Sequence, residues 1–345
     1  MRVCVLGKRG SVIGWVEGAV AAWRADGHAV LHAVFGDTRL HPALEQALYS
    51  RRIGAPRAVL LARRIRAFAP DLIVAVDAFS TPLSLLAILR GTPGLPPVIG
   101  WVGDRFGAYA LAPAKYLAAV AYTDSGLIGL HGQFGLTGTP LYLPHAANAA
   151  LAAVAETGQP RRPDLVFVAN PTPERQATVL RLRERVVLYG PGWQRPREGV
   201  HEVNAYRVPL GDLGGIYLAH AGVLNMRNET HVLDGLNQRN FDPFLCGAAV
   251  VTDPQRDLER CFEPGREVLV WREPAEIDAI SARLRREPGW AAAVAERGRR
   301  RVLAEHTYAA RLRTLARAAG APLSQHPPAI GMQMRAVDVG AGIGT

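Results

Sequence analysis

Short apolar runs recur along the chain, and each is followed by a segment whose apolar side chains have helical spacing. The run Val3–Leu6 ends at Gly7, and Leu72–Val76 ends at Asp77. Strands buried on both faces are nearly continuous apolar runs, and strand–helix alternation is typical of parallel sheets covered by helices. The sequence therefore predicts an α/β fold built on parallel sheets.

The alternation lapses once, between Ala149 and Asp164, and restarts with the apolar run Leu165–Val168. A chain of 345 residues also exceeds one ordinary core and suits two domains of roughly 150 residues each. We predict a first domain at 1–150, a linker at 151–164, a second domain at 165–320, whose last helices can return to the first domain, and a tail at 321–345. Ligands bind at the carboxyl ends of such strands, so we expect the site in a cleft between the domains.

The chain carries a net charge of +10, and nearly all of its basic residues are arginine, which indicates a codon-composition effect as much as a polyanionic partner. With 49% hydrophobic residues it is not a disordered chain. No run reaches the roughly 18 apolar residues of a membrane helix, and the N-terminus lacks a signal-peptide pattern. We expect a cytoplasmic protein, with contact at the inner face of the membrane as an open alternative.

Several common chemistries lack their motifs. The glycine-rich turn over Gly7–Gly14 does not have the spacing of a dinucleotide fingerprint, and neither HExxH nor GxSxG occurs. The ten histidines show no metal-ligand spacing, and no Asp-x-Asp pair precedes the tail. We therefore expect no cofactor and no metal.

The segment 222–252 holds the densest group of polar side chains. An apolar run ends at Asn225, a loop rich in Asn, Arg and Asp follows, and a short helix is predicted from about Asp242. Arginine forks and amides at the end of a parallel strand suit a ligand that carries both phosphates and hydroxyls. The alternative is that Asp242 only caps the helix and that the other side chains are solvated.

Motifs in several segments, in order over about residues 100–317, resemble those of CgeB-like glycosyltransferases, the spore-maturation protein group related to retaining GT-B enzymes. The segments are Tyr142–Asn148 (YLPHAAN), Phe167–Asn170 (FVAN) with Arg175, Tyr189-Gly190 with Trp193, Asp234–Arg239 (DGLNQR), Phe262–Glu267 (FEPGRE), and His306–Tyr308 with Arg311. The chain departs from the family pattern at Asn148, where Asp is usual, and at Ala169, where Gly is usual. The resemblance implies a GT-B fold, in which two Rossmann-like domains face a central cleft.

The resemblance also implies transfer of a sugar from a nucleoside diphosphate sugar to an acceptor hydroxyl, with retention of configuration and without a metal. Asp242 would accept hydrogen bonds from the ribose, and Asp234, eight positions earlier, from the sugar hydroxyls. Arg239 and Arg175 would neutralise the diphosphate. The complete donor site is predicted at Arg175, Gly190, Asn225, Asp234, Asn237, Arg239 and Asp242.

The first domain would then bind the acceptor, which we expect to be a glycan, a lipid-linked glycan or a protein. Gly10, Ser11 and Trp101 stand at the ends of its predicted strands, where an acceptor could be held. Asp104 is the candidate to orient or deprotonate the acceptor hydroxyl, and His145 is the catalytic candidate in the interdomain segment. The alternatives are that Asp104 pairs with its arginine neighbour and that His145 is structural.

The chain ends in Ala336–Thr345 (AVDVGAGIGT), which resembles the first strand and glycine loop of FkbM-like methyltransferases. We expect a piece of a longer glycosyltransferase–methyltransferase fusion, against the alternative of a chance glycine-rich tail. Two other functions stay open: a glycosyltransferase that modifies DNA or another polyanion, and a catalytically silent module that binds nucleotide or glycan.

Overall fold

The computed structural model describes residues 1–8, 14–35, 56–154, 161–194 and 201–321. Within these ranges the chain forms two six-stranded sheets in which every strand pair is parallel. The first sheet contains β1 (Arg2–Gly7), β2 (Ala29–Val34), β3 (Leu72–Val76), β4 (Val98–Val102), β5 (Leu117–Tyr122) and β6 (Thr139–Tyr142). The second sheet contains β7 (Arg162–Val168), β8 (Val186–Tyr189), β9 (Glu202–Asn204), β10 (His220–Asn225), β11 (Ala249–Thr252) and β12 (Leu269–Val270). The predicted α/β class is confirmed.

Helices connect the strands and cover both sheets. Those of the first half are α1 (Trp15–Ala25), α2 (Pro56–Phe68), α3 (Leu83–Gly91), α4 (Leu111–Ala114) and α5 (Ser125–Gln133). Those of the second half are α6 (Pro173–Leu180), α7 (Leu210–Leu218), α8 (Asp242–Leu245), α9 (Leu258–Cys261), α10 (Pro274–Arg286), α11 (Pro288–Glu305) and α12 (Tyr308–Ala318). None of the helices in the described ranges is long and apolar enough to cross a membrane.

Continuous apolar strands form the centre of each sheet because both sheet faces are covered. All five residues of β3 and all five of β4 are buried. In the second sheet, Leu165, Val166 and Phe167 of β7 are fully buried. Burial on both faces explains why the apolar runs of the sequence predict these strands without an alternating pattern.

The order of the strands fixes where each sheet can receive a ligand. The second sheet has the order β12-β11-β10-β7-β8-β9, so consecutive connections diverge between β7 and β10. The first sheet has the order β2-β1-β3-β4-β5-β6 and diverges between β1 and β3. Ligands of open α/β sheets bind beyond the carboxyl ends of the strands at such points.

The chain passes between the two sheets twice. It leaves the first sheet through a 3-10 turn at 149–154 and enters β7 at Arg162, three residues before the predicted start of the second domain. It returns at the end, where α12 packs on α1 and the indole nitrogen of Trp23 donates a hydrogen bond to the carbonyl of Tyr308 (2.8 Å). Leu312 and Leu315 of α12 are buried in the core of the first domain.

Candidate functional site

A cavity of about 350 Å³ lies at the carboxyl edges of the two sheets and is lined by both halves of the chain. Its walls include loop residues after β4, β5, β7, β8 and β10. Among the predicted site residues, those that line it are Asp104, His145, Arg175, Gly190, Asn237, Arg239 and Asp242. The structure thus brings together side chains that are up to 138 residues apart in sequence, from Asp104 to Asp242.

Three arginines of the second domain line this cavity: Arg175, Arg239 and the exposed Arg207. Arg175 is 5% exposed, and its guanidinium donates hydrogen bonds to the carbonyls of Asn170 (2.9 Å) and Met226 (2.7 Å). Its Nε is buried and has no partner in the described part of the chain. Burial and then the charge of Arg239 lower the pKa of Arg175 to about 9, so it remains a cation at neutral pH.

Arg239 is half-buried beside Arg175 and bonds only neutral acceptors among the described residues. Its Nε donates to Asn225 Oδ1 (3.0 Å), and one terminal nitrogen lies 3.5 Å from the carbonyl oxygen of Val168. Burial lowers the pKa of Arg239 as well. The charge of Asp253 acts on both arginines, but neither forms an ion pair with a carboxylate among the described residues. Two buried or half-buried cations that are not directly paired suit an anion.

Local caps hold both arginines. Thr172 caps α6, because its hydroxyl accepts the backbone N–H of Arg175 (3.3 Å). The Asn237 side chain caps a 3-10 turn at 238–240 and accepts the N–H of Arg239 (2.9 Å). Each arginine therefore begins from a fixed backbone position at the start of a helical turn.

Asn225 supports the cavity from beneath rather than lining it. Its side chain is fully buried at the end of β10, and its Oδ1 accepts hydrogen bonds from both Asn237 Nδ2 (3.0 Å) and Arg239 Nε (3.0 Å). Its Nδ2 donates to Asn240 Oδ1 and Thr252 Oγ1. The predicted role of Asn225 in the donor site thus becomes a positioning role.

Asp242 lines the cavity and also joins the two domains. Its Oδ1 accepts hydrogen bonds from the backbone N–H of Asn148 (2.8 Å) and from Gln238 Nε2 (2.9 Å). Burial raises the pKa of Asp242 to about 7, against the effect of those hydrogen bonds and of Arg239. The capping alternative is wrong, because Phe241 occupies the N-cap of α8 and Asp242 lies in its first turn.

Asp234 does not share the cavity with Asp242. Its carboxylate is 31% exposed and lies 3.8 Å from Arg256 Nη1, outside the cavity lining. The interval from Asp234 to Asp242 includes a loop and a 3-10 turn, so equal spacing in sequence does not place the two acids on one face. The prediction that both acids contact the donor is not supported for Asp234.

Gly190 shapes the wall after β8. Its φ is +144°, and a Cβ there would lie 2.2 Å from the carbonyl oxygen of Ala169. The indole nitrogen of Trp193 donates to the same oxygen (2.7 Å). The Tyr-Gly-x-x-Trp motif therefore fixes the close approach of the loops after β7 and β8, which no larger residue at 190 would allow.

His145 is a neutral side chain in the cavity wall. Burial and the nearby charge of Arg311 lower the pKa of His145 to about 3, and its Nδ1 is buried without a partner in the described structure. Arg311 also donates to the carbonyls of Pro144 (2.7 Å) and His145 (2.8 Å). The His-Thr-Tyr-x-x-Arg motif thus holds the segment that carries His145, which can exchange hydrogen bonds but stays unprotonated at neutral pH.

Asp104 lies on the opposite wall, where its carboxylate is 69% exposed. Its Oδ1 is 3.3 Å from Nδ1 of His231, which belongs to the second domain, and the N–H of Arg105 donates to the carbonyl of His231 (3.0 Å). Asp104 therefore pairs across the cleft with a histidine and not with its arginine neighbour.

The acceptor-side prediction for Trp101 is wrong. Trp101 lies within β4, is fully buried, and donates its indole N–H to the carbonyl of Leu143 (3.1 Å). Its ring packs edge-on against Trp15 in the core, so it cannot contact a ligand in the cleft. Gly10 and Ser11 lie outside the described residues.

The cavity-lining residues that sequence reasoning missed include Asp124, Arg207, His231 and Gln238. Asp124 lies two residues after the end of β5, and a polar residue at the carboxyl end of a strand was the available signal. His231 lies in a loop with no regular pattern, and Gln238 was visible only as part of the Asp234–Arg239 motif. Within the described ranges, no group of three or more His, Cys, Asp or Glu side chains is arranged to hold a metal ion.

The comparison with protein families matches residues 173–317 to a model described as "Glycosyl transferase-like". The match begins at α6 and ends in α12, so it includes Arg175, Arg239 and Asp242. The enzyme class predicted from the sequence, a glycosyltransferase, is confirmed at this level. A search of curated proteins finds no match.

Solved structures with a similar fold align over nearly the whole chain. Anabaena HepE in complex with UDP has 14% sequence identity and a TM-score of 0.63, over 93% of this chain and 100% of that one. Sucrose-phosphate synthase from Thermosynechococcus elongatus has 14% identity and a TM-score of 0.61, over 92% and 98%. A UDP-forming α,α-trehalose-phosphate synthase from Burkholderia xenovorans has 13% identity and a TM-score of 0.60, over 94% and 99%. At these identities the likeness shows the fold, and the predicted GT-B architecture is confirmed.

Proposed function

We propose that this chain transfers a sugar from a nucleoside diphosphate sugar to an acceptor hydroxyl in the cleft between its two domains. The proposal rests on the pair of cavity arginines, Arg175 and Arg239, neither of which forms an ion pair with a carboxylate among the described residues. A diphosphate is the anion that matches two adjacent guanidinium groups at the switch point of an α/β sheet. The glycosyl transferase-like match over the same residues supports this assignment.

The reaction requires charge stabilisation on the leaving group. The acceptor oxygen forms a bond to the anomeric carbon while the bond from that carbon to the β-phosphate oxygen breaks. The electron pair leaves with the nucleoside diphosphate, and the hydroxyl proton passes to the departing phosphate oxygen. Arg175 and Arg239 would stabilise the charge that develops there, from positions that need no rearrangement.

Other cavity residues fit the remaining parts of a nucleotide sugar. Asp242 is a buried carboxyl group beside Arg239, in the position that the sequence resemblance assigns to the ribose. His145 offers an unpartnered ring nitrogen, and a neutral imidazole suits a sugar hydroxyl. Asp104, on the first-domain wall, would hold the acceptor hydroxyl.

We further propose retention of the anomeric configuration, a metal-independent reaction and no cofactor. Retention rests on the resemblance to CgeB-like enzymes and is tested by NMR of the anomeric proton in the first-formed product. Metal independence rests on the two guanidinium groups, which supply the positive charge that a divalent ion would otherwise provide. Full transfer activity in EDTA is the expected result, and a strict requirement for a divalent ion would overturn this part.

The nucleotide is tested first by thermal shift with UDP, GDP, ADP and dTDP, because a bound ligand stabilises the folded state. UDP is the first choice, since the HepE structures contain UDP or UDP-glucose. Arg175→Ala and Arg239→Ala should each weaken binding of the selected nucleotide about 10- to 100-fold, as expected for lost hydrogen bonds to a charged group. Arg181→Ala, at the exposed end of α6, is the matched control. Unchanged affinity in both cavity variants would overturn the proposed site.

A further inference from the structure

The segment from Asn228 to Asn237, here called the bridging loop, connects β10 to the 3-10 turn that carries Arg239. It belongs to the second domain, and its cavity-lining residues are Asn228, His231, Val232, Leu236 and Asn237. The same loop contacts the first domain at the start of α5. The position of this loop therefore affects both the shape of the cavity and the contact between the two domains.

The principal contact is made by Asp124, the N-cap of α5, which is 1% exposed. Its Oδ2 accepts the backbone N–H of Leu233 (2.7 Å), and its Oδ1 accepts that of Asp234 (3.1 Å). The Oδ1 also accepts the N–H of Gly126 within its own helix (2.7 Å). One buried carboxylate thus caps a helix of the first domain and binds two amides of the second.

A second carboxylate makes the reciprocal contact. Asp257 of the second domain is fully buried, and its Oδ2 accepts the N–H of Ser125 (2.8 Å). The N–H of Asp257 donates to the carbonyl of Asp234 (2.9 Å), so the same residue also fixes the bridging loop. Carboxylates that accept backbone N–H groups make stronger hydrogen bonds than neutral acceptors do.

The two backbones are in close contact at this point. A Cβ at Gly235 would lie 2.5 Å from the Cβ of Asp124, and a Cβ at Gly126 would lie 2.8 Å from the Cβ of Leu233. Neither position has space for a larger residue without separating the loop from α5. The contact therefore depends on two glycines as well as two carboxylates.

We propose that Asp124 is a positioning residue for glycosyl transfer, which holds the bridging loop against the first domain and thereby sets the donor site. Leu236 and Asn237, two and three residues after the clamped amide of Asp234, line the cavity, and Asn237 caps the turn of Arg239. On the other side of the clamp, the loop places His231 against Asp104. This inference rests on the proposed function, because it assigns Asp124 to the positioning of the same donor site.

Two variants separate the clamp from the helix cap. Asp124→Ser keeps a good N-cap, because serine is as favourable as aspartate there. Its single, shorter hydroxyl has two lone pairs, so with one bound to the amide of Gly126 it cannot also accept those of both Leu233 and Asp234. Gly235→Ala removes no charge and only places a methyl group where Asp124 packs. Gly129→Ala, on α5 with nothing within 4 Å of its new Cβ, is the matched control.

Hydrogen–deuterium exchange of the 228–237 peptide and calorimetric affinity for UDP give the two readouts. Loss of two hydrogen bonds to a charged acceptor should speed exchange of this peptide about tenfold or more in Asp124→Ser and Gly235→Ala. The dissociation constant for UDP should rise by a similar factor of about ten, because the loop is less often in its binding position. The control should match the natural chain in both readouts.

Unchanged exchange in both variants would overturn the clamp, and faster exchange with unchanged UDP affinity would overturn its positioning role. Asp124→Asn is a further check. Its amide keeps one oxygen to accept the N–H of either Leu233 or Asp234 and presents an NH₂ group to the other. The exchange rate and the UDP affinity of this variant should lie between those of Asp124→Ser and of the natural chain. If the natural chain binds none of the four nucleotides, the proposed function fails instead. The exchange rates then still decide whether Asp124 holds the loop.

Discussion

The polar groups assigned to the donor diphosphate and to the acceptor hydroxyl are held in opposite ways. On the second-domain wall, Arg175 and Arg239 are buried or half-buried, and Asn225 beneath them is fully buried. On the first-domain wall, Asp104 is mostly exposed, and its partner His231 comes from the other domain. A diphosphate is the constant part of every nucleotide sugar, and fixed charges suit it, whereas an exposed pair leaves space for acceptors of different shape. The comparison predicts that substitutions on the second-domain wall reduce activity and stability more than substitutions on the first-domain wall.

The largest effect should come from the charge of Arg239. Arg239→Gln keeps most of the side-chain length but removes the cation, and we expect kcat to fall about 100-fold or more, as for loss of a fixed group that stabilises transition-state charge. Arg239→Lys restores the positive charge but lacks the guanidinium group whose Nε donates a hydrogen bond to Asn225, so it should recover only part of the rate. Steady-state kinetics with the nucleotide sugar selected by thermal shift provides the measurement. Equal kcat values for Arg239→Gln and the natural enzyme would contradict the prediction that the second-domain wall has the larger effect.

Gly190→Ala should destabilise the second-domain wall by a backbone effect. The φ of +144° and the 2.2 Å approach to the Ala169 carbonyl both oppose a Cβ, and the cost should be about 2 kcal/mol or more in the free energy of unfolding. Urea denaturation checks this value. Gly211→Ala in α7, with nothing within 4 Å of its Cβ, should leave stability unchanged or raise it by up to about 1 kcal/mol. Similar losses in both variants would contradict the account of the Tyr-Gly-x-x-Trp motif.

His231→Ala tests the first-domain wall and should have a smaller effect. Because the Asp104–His231 pair is exposed, its loss should cost less than about 1 kcal/mol of stability. We expect UDP affinity to stay the same. The rate of transfer should fall about tenfold, as expected when Asp104 is no longer held in place and one hydrogen bond to the acceptor is lost. His231→Gln, which can still donate to Asp104, should recover part of the rate. A loss of UDP affinity equal to that of Arg239→Ala would show that His231 belongs to the donor wall.

The smallest effect in the natural chain should be the pH dependence of stability, because two trends oppose each other. Burial raises the pKa of Asp242 to about 7, so the folded state binds this proton more tightly and stability falls as pH rises from about 4 to 7. Burial lowers the pKa of His145 to about 3, so the unfolded state binds more protons and stability falls as pH decreases below about 6.5. Thermal melts from pH 4 to 8 should show a steeper rise with pH in Asp242→Asn and a flatter or falling trend in His145→Gln. The same slope in all three proteins would contradict both assignments.

The sequence predicts most of the fold because the central strands are continuous apolar runs. It misses β9, whose three residues Glu202–Asn204 form a polar edge strand, and α7, whose glycines lower its helix propensity. Trp101 was placed at the acceptor because a strand fully buried on both faces gives no alternation to show which way a side chain points.

The candidate site was predictable where a residue follows a strand or begins a helical turn. Arg175, Arg239 and Asp242 satisfy that condition, and the cavity brings them together. Asp234 lies outside the cavity lining because a loop of irregular backbone separates it from Asp242, and its contact with the donor stays a prediction. Asp124 was missed because an aspartate before a helix is an ordinary N-cap in sequence, and its contacts with amides 109 and 110 positions later are visible only in three dimensions.

The return of α12 to the first domain has a consequence for synthesis of the chain. Trp23 is in the core of the first domain, yet its indole bonds a carbonyl 285 residues later, and Leu312 and Leu315 complete the same core. Domains generally fold as units while the ribosome adds residues from the N-terminus. Here the face of α1 stays uncovered until the second domain has been translated. This part of the first domain's core therefore closes only after almost the whole described chain has been translated, and the apolar face of α1 stays exposed to solvent throughout elongation.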